Sequence, residues 1–153
     1  MVISQPEFDQ MSNVGYLRTL LTGLEDMRPE TIVLIGGFIS EADSDKNEGS
    51  NPAIYEQIGA IIRENELLCL RDCTQWILMP SLDDPGMIKV MPSFKLPDSL
   101  FSRMKGNGPG SIKKLMFGTN PMRISFRGKE VVFSRYDYLK KLKKNHLPKI
   151  QEF

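Results

Sequence analysis

The sequence predicts an α/β fold in which a mainly parallel β-sheet is layered with helices. Short apolar runs that end at glycine, proline or polar residues alternate along the chain with segments of helical period, which is the pattern of strand–helix–strand units. One run, TIVLI, is almost continuously apolar, as is typical of a parallel strand buried on both faces. The length of 153 residues fits one domain, so we expect residues 1–153 to form a single domain.

The first helix is expected between a short strand at Val2–Ser4 and Pro29. Ser12 or Asn13 supplies its N-terminal cap, and the proline ends it because proline cannot continue the helical hydrogen bonding. Apolar residues recur at helical spacing and predict the face that packs on the sheet: Leu17, Leu20, Leu21, Leu24 and Met27.

Thr31–Ile35 is predicted to be the central strand. The polar loop that follows, Glu41–Ser50, has nothing to bury and is expected to be the most mobile internal segment. A second helix should begin at Pro52 behind the cap Asn51, with an apolar stripe at Ile54, Ile58, Ile61 and Ile62. Gln75–Met79 then completes a strand–helix–strand unit.

The middle of the chain is rich in proline and has few apolar residues at regular spacing. Four prolines between Pro80 and Pro97 predict an extended, turn-rich path, and a short helix is expected around Asp98–Met104. The GNGPGS segment lacks the Gly-Lys-Ser/Thr ending of a phosphate-binding loop and is interpreted as a connector to a strand at Leu115–Phe117. RISFRGKEVVFSR then predicts a hairpin that turns at Arg127-Gly128.

The last segment, YDYLKKLKKNHLPKIQEF, is predicted to be a basic amphipathic helix interrupted by Pro148. We expect its buried side to consist of Tyr136, Tyr138, Leu139 and Leu142. Its cations either keep a helix face solvated or contact phosphates, and they are Arg135, Lys140, Lys141, Lys143, Lys144 and Lys149. No aromatic platform of the kind that single-strand binders use accompanies these lysines.

Composition excludes few functions. The net charge is +1, and 41% of the residues are hydrophobic, as in ordinary globular proteins. No apolar run approaches the roughly 20 residues that cross a bilayer, and the first ten residues lack signal-peptide order, so we expect an intracellular protein without a membrane partner. Cys69 and Cys73 are expected to be reduced, partly buried thiols rather than half of a zinc site, since the sequence has no second pair.

Two adjacent carboxylates follow the predicted strand in WILMPSLDDPG. The apolar run stops at Pro80, and Asp83 and Asp84 lie in the turn beyond it, where α/β enzymes place metal ligands. The pattern alone leaves two interpretations open, a working metal site or the remnant of one.

The order of VLIGGFISE, WILMPSLDDPG and FGTNPMRISFRGKEVVFSR resembles the calcineurin-like phosphoesterase domain of the B subunits of replicative DNA polymerases. Within that group it looks most like the epsilon-type subunits, and the similarity covers nearly the whole chain. The resemblance implies a partial calcineurin-like phosphoesterase sandwich. It also implies that the family's N-terminal barrel and at least one later strand segment are absent, so that the chain is a fragment, a truncated product or a short form.

Active members of the phosphoesterase superfamily bind two metals through Asp-x-His, Gly-Asp-x-x-Asp and Gly-Asn-His-Asp motifs after successive strands. The resemblance places the first motif on Gln5 and Glu7, and it places Gly37 where a bridging aspartate stands. Leu82 then takes the position of a metal-binding asparagine, and Asp83 that of the catalytic histidine. Glycine and leucine offer no ligand atom, which implies a vestigial site that binds no metal and needs no cofactor.

In this interpretation Asp83 and Asp84 are turn residues or caps that accept hydrogen bonds from local backbone N–H groups. The resemblance also brings Asn120 and Arg123 of TNPMRISF near the vestigial cleft. Arg123 is expected either to pair with Asp83 or Asp84, replacing the lost cation charge, or to be an exposed arginine at a strand end.

The resemblance implies a catalytically silent scaffold, an accessory subunit of a replicative polymerase in the nucleus. Its partners would be the C-terminal cysteine-rich module of the catalytic subunit and other replisome subunits, with weak DNA contact in addition. Two alternatives stay open. One is an active phosphoesterase with an altered ligand set of Glu7, Asp83 and Asp84 with Asp43 or Asp45, and the other is a small nucleic-acid-binding module that uses the basic tail.

Overall fold

The computed structural model describes residues 1–40, 56–84, 87, 90–98, 104, 111–139 and 142. Along the chain the described elements are β1 (Val2–Ser4), α1 (Met11–Met27), β2 (Thr31–Ile35), α2 (Gln57–Glu64), α3 (Leu68–Asp72), β3 (Gln75–Met79), β4 (Leu115–Phe117), β5 (Met122–Phe126) and β6 (Lys129–Phe133). The predicted alternation of strands and helices is therefore confirmed over these residues.

Four strands form a parallel sheet in the order β1-β2-β3-β4. The two central strands carry the near-continuous apolar runs, and Ile32, Val33 and Leu34 of β2 are buried, as are the four residues 76–79 of β3. Since neighbouring residues of a strand face opposite sides of a sheet, this burial means that both faces of the centre are covered.

Helix α1 packs on one face of this sheet through Val14, Leu17, Leu21 and Leu24. The expected burial of Leu20 and Met27 is wrong, because these side chains lie beyond one edge of that stripe and are 37% and 76% exposed. The predicted caps are also wrong, since the helix begins at Met11 with Gln10 as its N-cap residue. The helix ends before Pro29, as expected, with Arg28 in the left-handed conformation.

The other two helices lie between β2 and β3 in the chain. The buried stripe of α2 contains Ile58, Ile61 and Ile62, as the sequence predicted, whereas Asn51, Pro52 and Ile54 are outside the described residues. Helix α3 was not expected from the sequence because five residues are too few to show a helical period. Its backbone N–H groups at Cys69 and Leu70 donate to the Glu25 carboxylate of α1 at 2.7 and 3.0 Å.

The predicted hairpin is confirmed as the antiparallel pair β5 and β6. Its turn residues Arg127 and Gly128 both have positive φ, 50° and 76°, as a two-residue hairpin turn of the primed type requires. The hairpin packs over the second face of the parallel sheet, where Met122 joins Val33, Ile77 and Met79 in a small apolar cluster. A cavity of about 830 Å³ with largely apolar walls lies between the hairpin and the sheet.

The expected burial after the hairpin is wrong for three of its four residues, while Tyr136 is half-buried. The side chains of Tyr138, Leu139 and Leu142 are 70%, 73% and 65% exposed, because no described element packs over them. Cys69 is half-buried and Cys73 is exposed, and both are free thiols. None of the helices in the described part of the chain combines the length and the apolar character needed to cross a membrane.

Several expectations concern segments outside the described residues. These are the Glu41–Ser50 loop, most of the helix expected at Asp98–Met104, the GNGPGS connector except its last residue, Ser111, and the four lysines proposed for nucleic-acid contact, Lys140, Lys141, Lys143 and Lys144.

Candidate functional site

The carboxyl ends of β1, β2 and β3 meet at one edge of the sheet, which is where α/β folds bind ligands. Gln5 follows β1, Gly36-Gly37 follows β2, and the turn 81–84 follows β3. The structure thus brings together the three segments that the resemblance assigned to the vestigial site. We call this region the strand-end site.

Asp84 is the most buried carboxylate of this site, with 3% of its surface exposed. One oxygen, Oδ1, accepts hydrogen bonds from the backbone N–H groups of Gly37 and Phe38 at 3.0 and 2.8 Å. The other, Oδ2, accepts from the N–H of Ser81 at 2.7 Å. Burial raises the pKa of Asp84 above its ordinary value, and the backbone N–H donors oppose this rise. Asp84 therefore ties the turn after β3 to the turn after β2.

The close approach of the two turns that Asp84 joins explains why residue 36 is a glycine. A Cβ atom on Gly36 would lie 2.0 Å from the Ser81 nitrogen and 2.2 Å from Oδ2 of Asp84, which is far inside contact distance. Local backbone contact was expected for Asp84, but its bonds to Gly37 and Phe38 join segments 47 and 46 residues apart. The carboxylate is therefore a tertiary anchor and more than a turn residue.

Gln5 and Glu7 continue the line of β1 alongside Gly37. The N–H of Glu7 donates to the Gly37 carbonyl at 3.1 Å, and both Gln5 and Glu7 adopt positive φ, 56° and 42°, which is uncommon for residues other than glycine. The Glu7 carboxylate accepts hydrogen bonds from the side-chain amides of Gln5 at 2.8 Å and Asn13 at 3.2 Å. Neutral amides thus hold the carboxylate that the phosphoesterase alternative used as a metal ligand.

Arg135 supplies the positive charge of the strand-end site. Its Nη1 donates to the Gly36 carbonyl at 2.8 Å and to Oγ of Ser4 at 2.9 Å. Its Nη2 donates to Oε1 of Gln5 at 3.0 Å. The guanidinium therefore bridges the ends of β1 and β2, where the resemblance would place metal ions.

Asn120 fixes the backbone of Arg135. Its side-chain Nδ2 donates to the Arg135 carbonyl at 2.8 Å, and its Oδ1 accepts from the Arg135 N–H at 3.0 Å. Asn120 is fully buried, so both bonds are shielded from water. This pair continues the hairpin register, in which Met122 lies opposite Phe133.

Arg123, by contrast, points away from the site. It forms a salt bridge with Glu130 across the hairpin at 3.3 Å, and its side chain is 72% exposed. The expected pairing of Arg123 with Asp83 or Asp84 is wrong, and the exposed alternative is correct. The reason is the alternation of the strand: Met122 and Ile124 face the sheet, so Arg123 faces outward.

The described residues do not fit a pair of metal ions. Gly37 has no side chain at the position that the resemblance assigns to a bridging aspartate, and the half-buried Leu82 offers only hydrocarbon. Both Asp84 oxygens already accept backbone N–H groups, and the Arg135 guanidinium would repel a cation. No group of three or more histidine, cysteine, aspartate or glutamate side chains in the described ranges is placed to hold a metal ion. Asp83 is half-buried in the same turn, while Asp43 and Asp45 are outside the described residues.

The sequence pattern places Arg135 in a basic tail and does not predict its contacts in the site. The signal that could have found it is the register of the predicted hairpin. A turn at Arg127-Gly128 pairs Met122 with Phe133, and two residues further along each strand it pairs Asn120 with Arg135. The resemblance had already placed Asn120 near the cleft, so the register would have brought Arg135 with it.

Comparisons with known proteins identify the family of the chain. The family model that describes the B subunit of DNA polymerases alpha and epsilon matches residues 1–152. The DNA polymerase epsilon B subunit of Arabidopsis thaliana is 27% identical over 150 residues, which is 96% of this chain and 28% of the relative. Probable DNA polymerase epsilon subunit 2 of Caenorhabditis elegans is 33% identical over 130 residues, 80% of this chain and 22% of the relative.

DNA polymerase epsilon subunit 2 of Homo sapiens is 24% identical over 147 residues, 94% of this chain and 26% of the relative. The chain thus spans about a quarter of the length of these curated relatives. The match of the family model over nearly every residue is what decides membership. The chain therefore belongs to the B-subunit family of DNA polymerases alpha and epsilon.

Proposed function

We propose that this chain is a non-catalytic scaffold, an accessory part of an epsilon-type replicative DNA polymerase that acts in the nucleus. The main support for this proposal is the position of Arg135 at the strand-end site. In this proposal the site descends from that of a calcineurin-like phosphoesterase, and the Arg135 guanidinium takes over the tethering role of the lost metals. It links the ends of β1 and β2 to the exit of the hairpin.

The contacts of Asp84 support the loss of catalysis. Metal-dependent phosphoester hydrolysis needs cations that activate a water and neutralise the phosphoryl oxygens. An aspartate ligand must present a lone pair toward the metal, but both Asp84 oxygens are directed at backbone N–H groups. Glu7 is similarly held by two amides. An active phosphoesterase built from these carboxylates would have to break the contacts that hold three loops together.

A polymerase partner is supported by the family. The relatives are named as subunits of DNA polymerase epsilon. We propose that this chain binds the C-terminal cysteine-rich module of the catalytic subunit, and through it other subunits of the replication complex. Because the strand-end site is occupied by its own side chains, the binding would use the outer surface of the domain.

The proposal is tested by co-purification of the tagged 153-residue chain with the isolated cysteine-rich module of an epsilon catalytic subunit. We expect a stable complex of defined stoichiometry in size-exclusion chromatography with light scattering. A full-length epsilon subunit 2 from one of the relatives is the positive control. If the control binds the module and this chain does not, the scaffold proposal is wrong for this chain.

A further inference from the structure

The outer edge of strand β6 is open. Within the described ranges β6 pairs only with β5, so the hairpin is a sheet of two strands. On the other side of the hairpin, just before β5, the backbone groups of Asn120 and Ser93 bond to each other at 2.8 and 3.2 Å. The edge of β6 has no comparable partner among the residues that the structure describes. Since a two-stranded sheet is marginal on its own, an open edge of this kind is a template for a further strand.

The middle of this edge is apolar and exposed. Val131 and Val132 are 40% and 55% exposed, and Val131 also lines the apolar cavity under the hairpin. The charged residues of β6, Lys129 and Glu130, both lie at the end next to the turn. The other half of the strand therefore lacks the lysines and prolines with which edge strands prevent pairing.

The hairpin turn determines which backbone groups of β6 point outward. Phe126 and Lys129 flank the two-residue turn and form a hydrogen-bonded pair. Hydrogen-bonded and non-hydrogen-bonded pairs alternate along an antiparallel ladder. The backbone of Val131 therefore bonds to β5, whereas the N–H and C=O groups of Glu130 and Val132 point away from it. The outer edge thus presents a donor and an acceptor at two positions of the strand.

This pattern is complementary to itself. When two copies of β6 run antiparallel about a two-fold axis at Val131, Glu130 of each copy lies opposite Val132 of the other. These opposed residues both point their backbone groups at the partner strand, so they exchange N–H and C=O bonds. Val131 lies opposite its counterpart at a non-hydrogen-bonded position, where side chains approach closely, and Val132 is diagonal to its counterpart. Both exposed valines are covered in this arrangement.

Charge favours this register over its neighbours. An axis one residue closer to the turn would place the two Glu130 carboxylates directly opposite each other, and like charges in such pairs are destabilising. An axis one residue further along would place Lys129 opposite Arg135 of the second copy. With the axis at Val131, Lys129 lies opposite Phe133 and no like charges face each other along the strand. The edge is therefore matched in hydrogen bonds and in charge to a second copy of itself.

We propose that two copies of this chain associate through their β6 strands, so that both hairpins form one continuous antiparallel sheet across a two-fold axis at Val131. The inference goes beyond the scaffold role. It concerns the chain alone and needs no polymerase component, so it can fail while the scaffold proposal stands, and the reverse also holds. Because the paired strands are short, the interface is small and the dimer should be weak and dependent on concentration.

The test is sedimentation velocity of the 153-residue chain over a rising series of concentrations, in which we expect a monomer–dimer equilibrium. Val132→Glu places a carboxylate opposite Glu130 of the second copy on both sides of the axis. It should raise the dissociation constant of the dimer by about tenfold or more. Within the hairpin, residue 132 lies opposite Arg123, so the same substitution adds a pair of opposite charges and should not weaken the folded monomer.

Val132→Lys is the matched variant and reverses both effects. The lysine faces Arg123 within its own hairpin but Glu130 of the second copy across the axis, so the folded variant should still dimerise. Val90→Glu makes the acidic change at an exposed valine outside the hairpin and should leave the equilibrium unchanged. Circular dichroism verifies that each variant is folded.

Hydrogen exchange of the parent chain gives a second readout. The N–H groups of Glu130 and Val132 should become more protected as the concentration rises, because only the second copy accepts their hydrogen bonds. The proposal is overturned if the parent stays monomeric up to about 1 mM, or if these two N–H groups exchange at the same rate at every concentration. Dimerisation of Val132→Glu with the affinity of the parent would also overturn it and would assign the association to another surface.

Discussion

The Arg135 guanidinium donates a hydrogen bond to the backbone carbonyl of Gly36 at 2.8 Å, across 99 residues of sequence. The same side chain reaches Ser4 and Gln5, so a single cation holds the ends of two parallel strands and the exit of the hairpin. The scaffold proposed above uses this contact as its link between the three segments.

Replacing Arg135 by alanine should destabilise the protein. Three hydrogen bonds from a charged donor are lost, and we expect the free energy of unfolding to fall by about 2 to 3 kcal/mol. Urea denaturation of parent and variant measures the change. The matched control is Arg123→Ala, whose exposed salt bridge to Glu130 should contribute less than about 1 kcal/mol. Equal effects of the two substitutions would show that Arg135 is only another surface arginine.

Asp84→Asn should destabilise the protein although it removes a buried charge. An asparagine has one acceptor oxygen and an NH₂ group, and the NH₂ group would face a backbone N–H of Gly37 or Ser81. We expect a loss of about 2 to 3 kcal/mol, measured by thermal or urea unfolding. Asp26→Asn makes the same chemical change at an exposed position of α1 and should be close to neutral. A stabilised Asp84→Asn variant would mean that the cost of the buried charge exceeds the value of its hydrogen bonds.

The glycines after β2 should differ in their tolerance of a side chain. Gly37 has φ of +84°, and its Cβ would lie 3.1 Å from Cγ of Gln5, so Gly37→Ala should cost about 1 to 3 kcal/mol. Gly36→Ala should cost more, because its Cβ would collide with backbone atoms of Pro80 and Ser81. Gly23→Ala is the control: nothing lies within 4 Å of its Cβ, and it should stabilise α1 by up to about 1 kcal/mol. A Gly37→Ala variant as stable as the parent would contradict the strained turn.

Gly37→Asp introduces a carboxylate at the position where the resemblance places a bridging ligand. From the sequence alone, this change should leave an unpaired buried charge. The structure modifies that expectation, because the Cβ of residue 37 would lie 3.4 Å from Nη2 of Arg135 and the new carboxylate could pair with the guanidinium. We therefore expect Gly37→Asp to be no less stable than Gly37→Ala in urea unfolding, and to gain no manganese-dependent activity. A larger loss of stability in Gly37→Asp would show that Arg135 does not compensate the charge.

At low pH, protonation of Asp72 should remove its contribution to the free energy of unfolding. The hydrogen bond from Arg71 lowers the pKa of Asp72 from 3.8 to about 2, and Lys113 adds to this effect. Since the folded state holds this carboxylate ionised at lower pH than the unfolded state does, its contribution is complete above about pH 4 and is lost as the pH falls toward about 2. The free energy of unfolding of Asp72→Asn should therefore depend less on pH than that of the parent in this window. Parallel curves for parent and variant would contradict the lowered pKa.

The sheet was predictable because its signals are local. The near-continuous apolar runs at Thr31–Ile35 and Gln75–Met79 and the Arg-Gly turn of the hairpin each specify one element within a few residues. The exposure of Leu20 and Met27 was not predictable, because a helical stripe gives the direction of the buried face but not its width.

The site was harder to predict because its bonds are long-range. The predicted parallel strands already place Gln5, Gly37 and Asp84 close together. The reason is that the carboxyl ends of adjacent parallel strands lie at the same end of the sheet. The position of Arg135 depends on the buried amide of Asn120, 15 residues earlier, and on the register of the hairpin between them. Arg123 was the nearer arginine in the motif, but the alternation of β5 directs it to solvent.

In the function proposed above, the Arg135 guanidinium takes the place of metal ions at a catalytically silent site. The most direct measurement is the hydrolysis of a generic phosphodiester by the purified chain in excess manganese, compared with the same chain in a chelator. We predict no turnover above the rate of buffer with manganese, because the described residues contain no group of three or more histidine, cysteine, aspartate or glutamate side chains placed to hold a metal ion. Manganese-dependent turnover that is abolished by Asp83→Ala, or by Asp84→Ala in a variant verified to be folded, would contradict the account and would identify an active phosphoesterase.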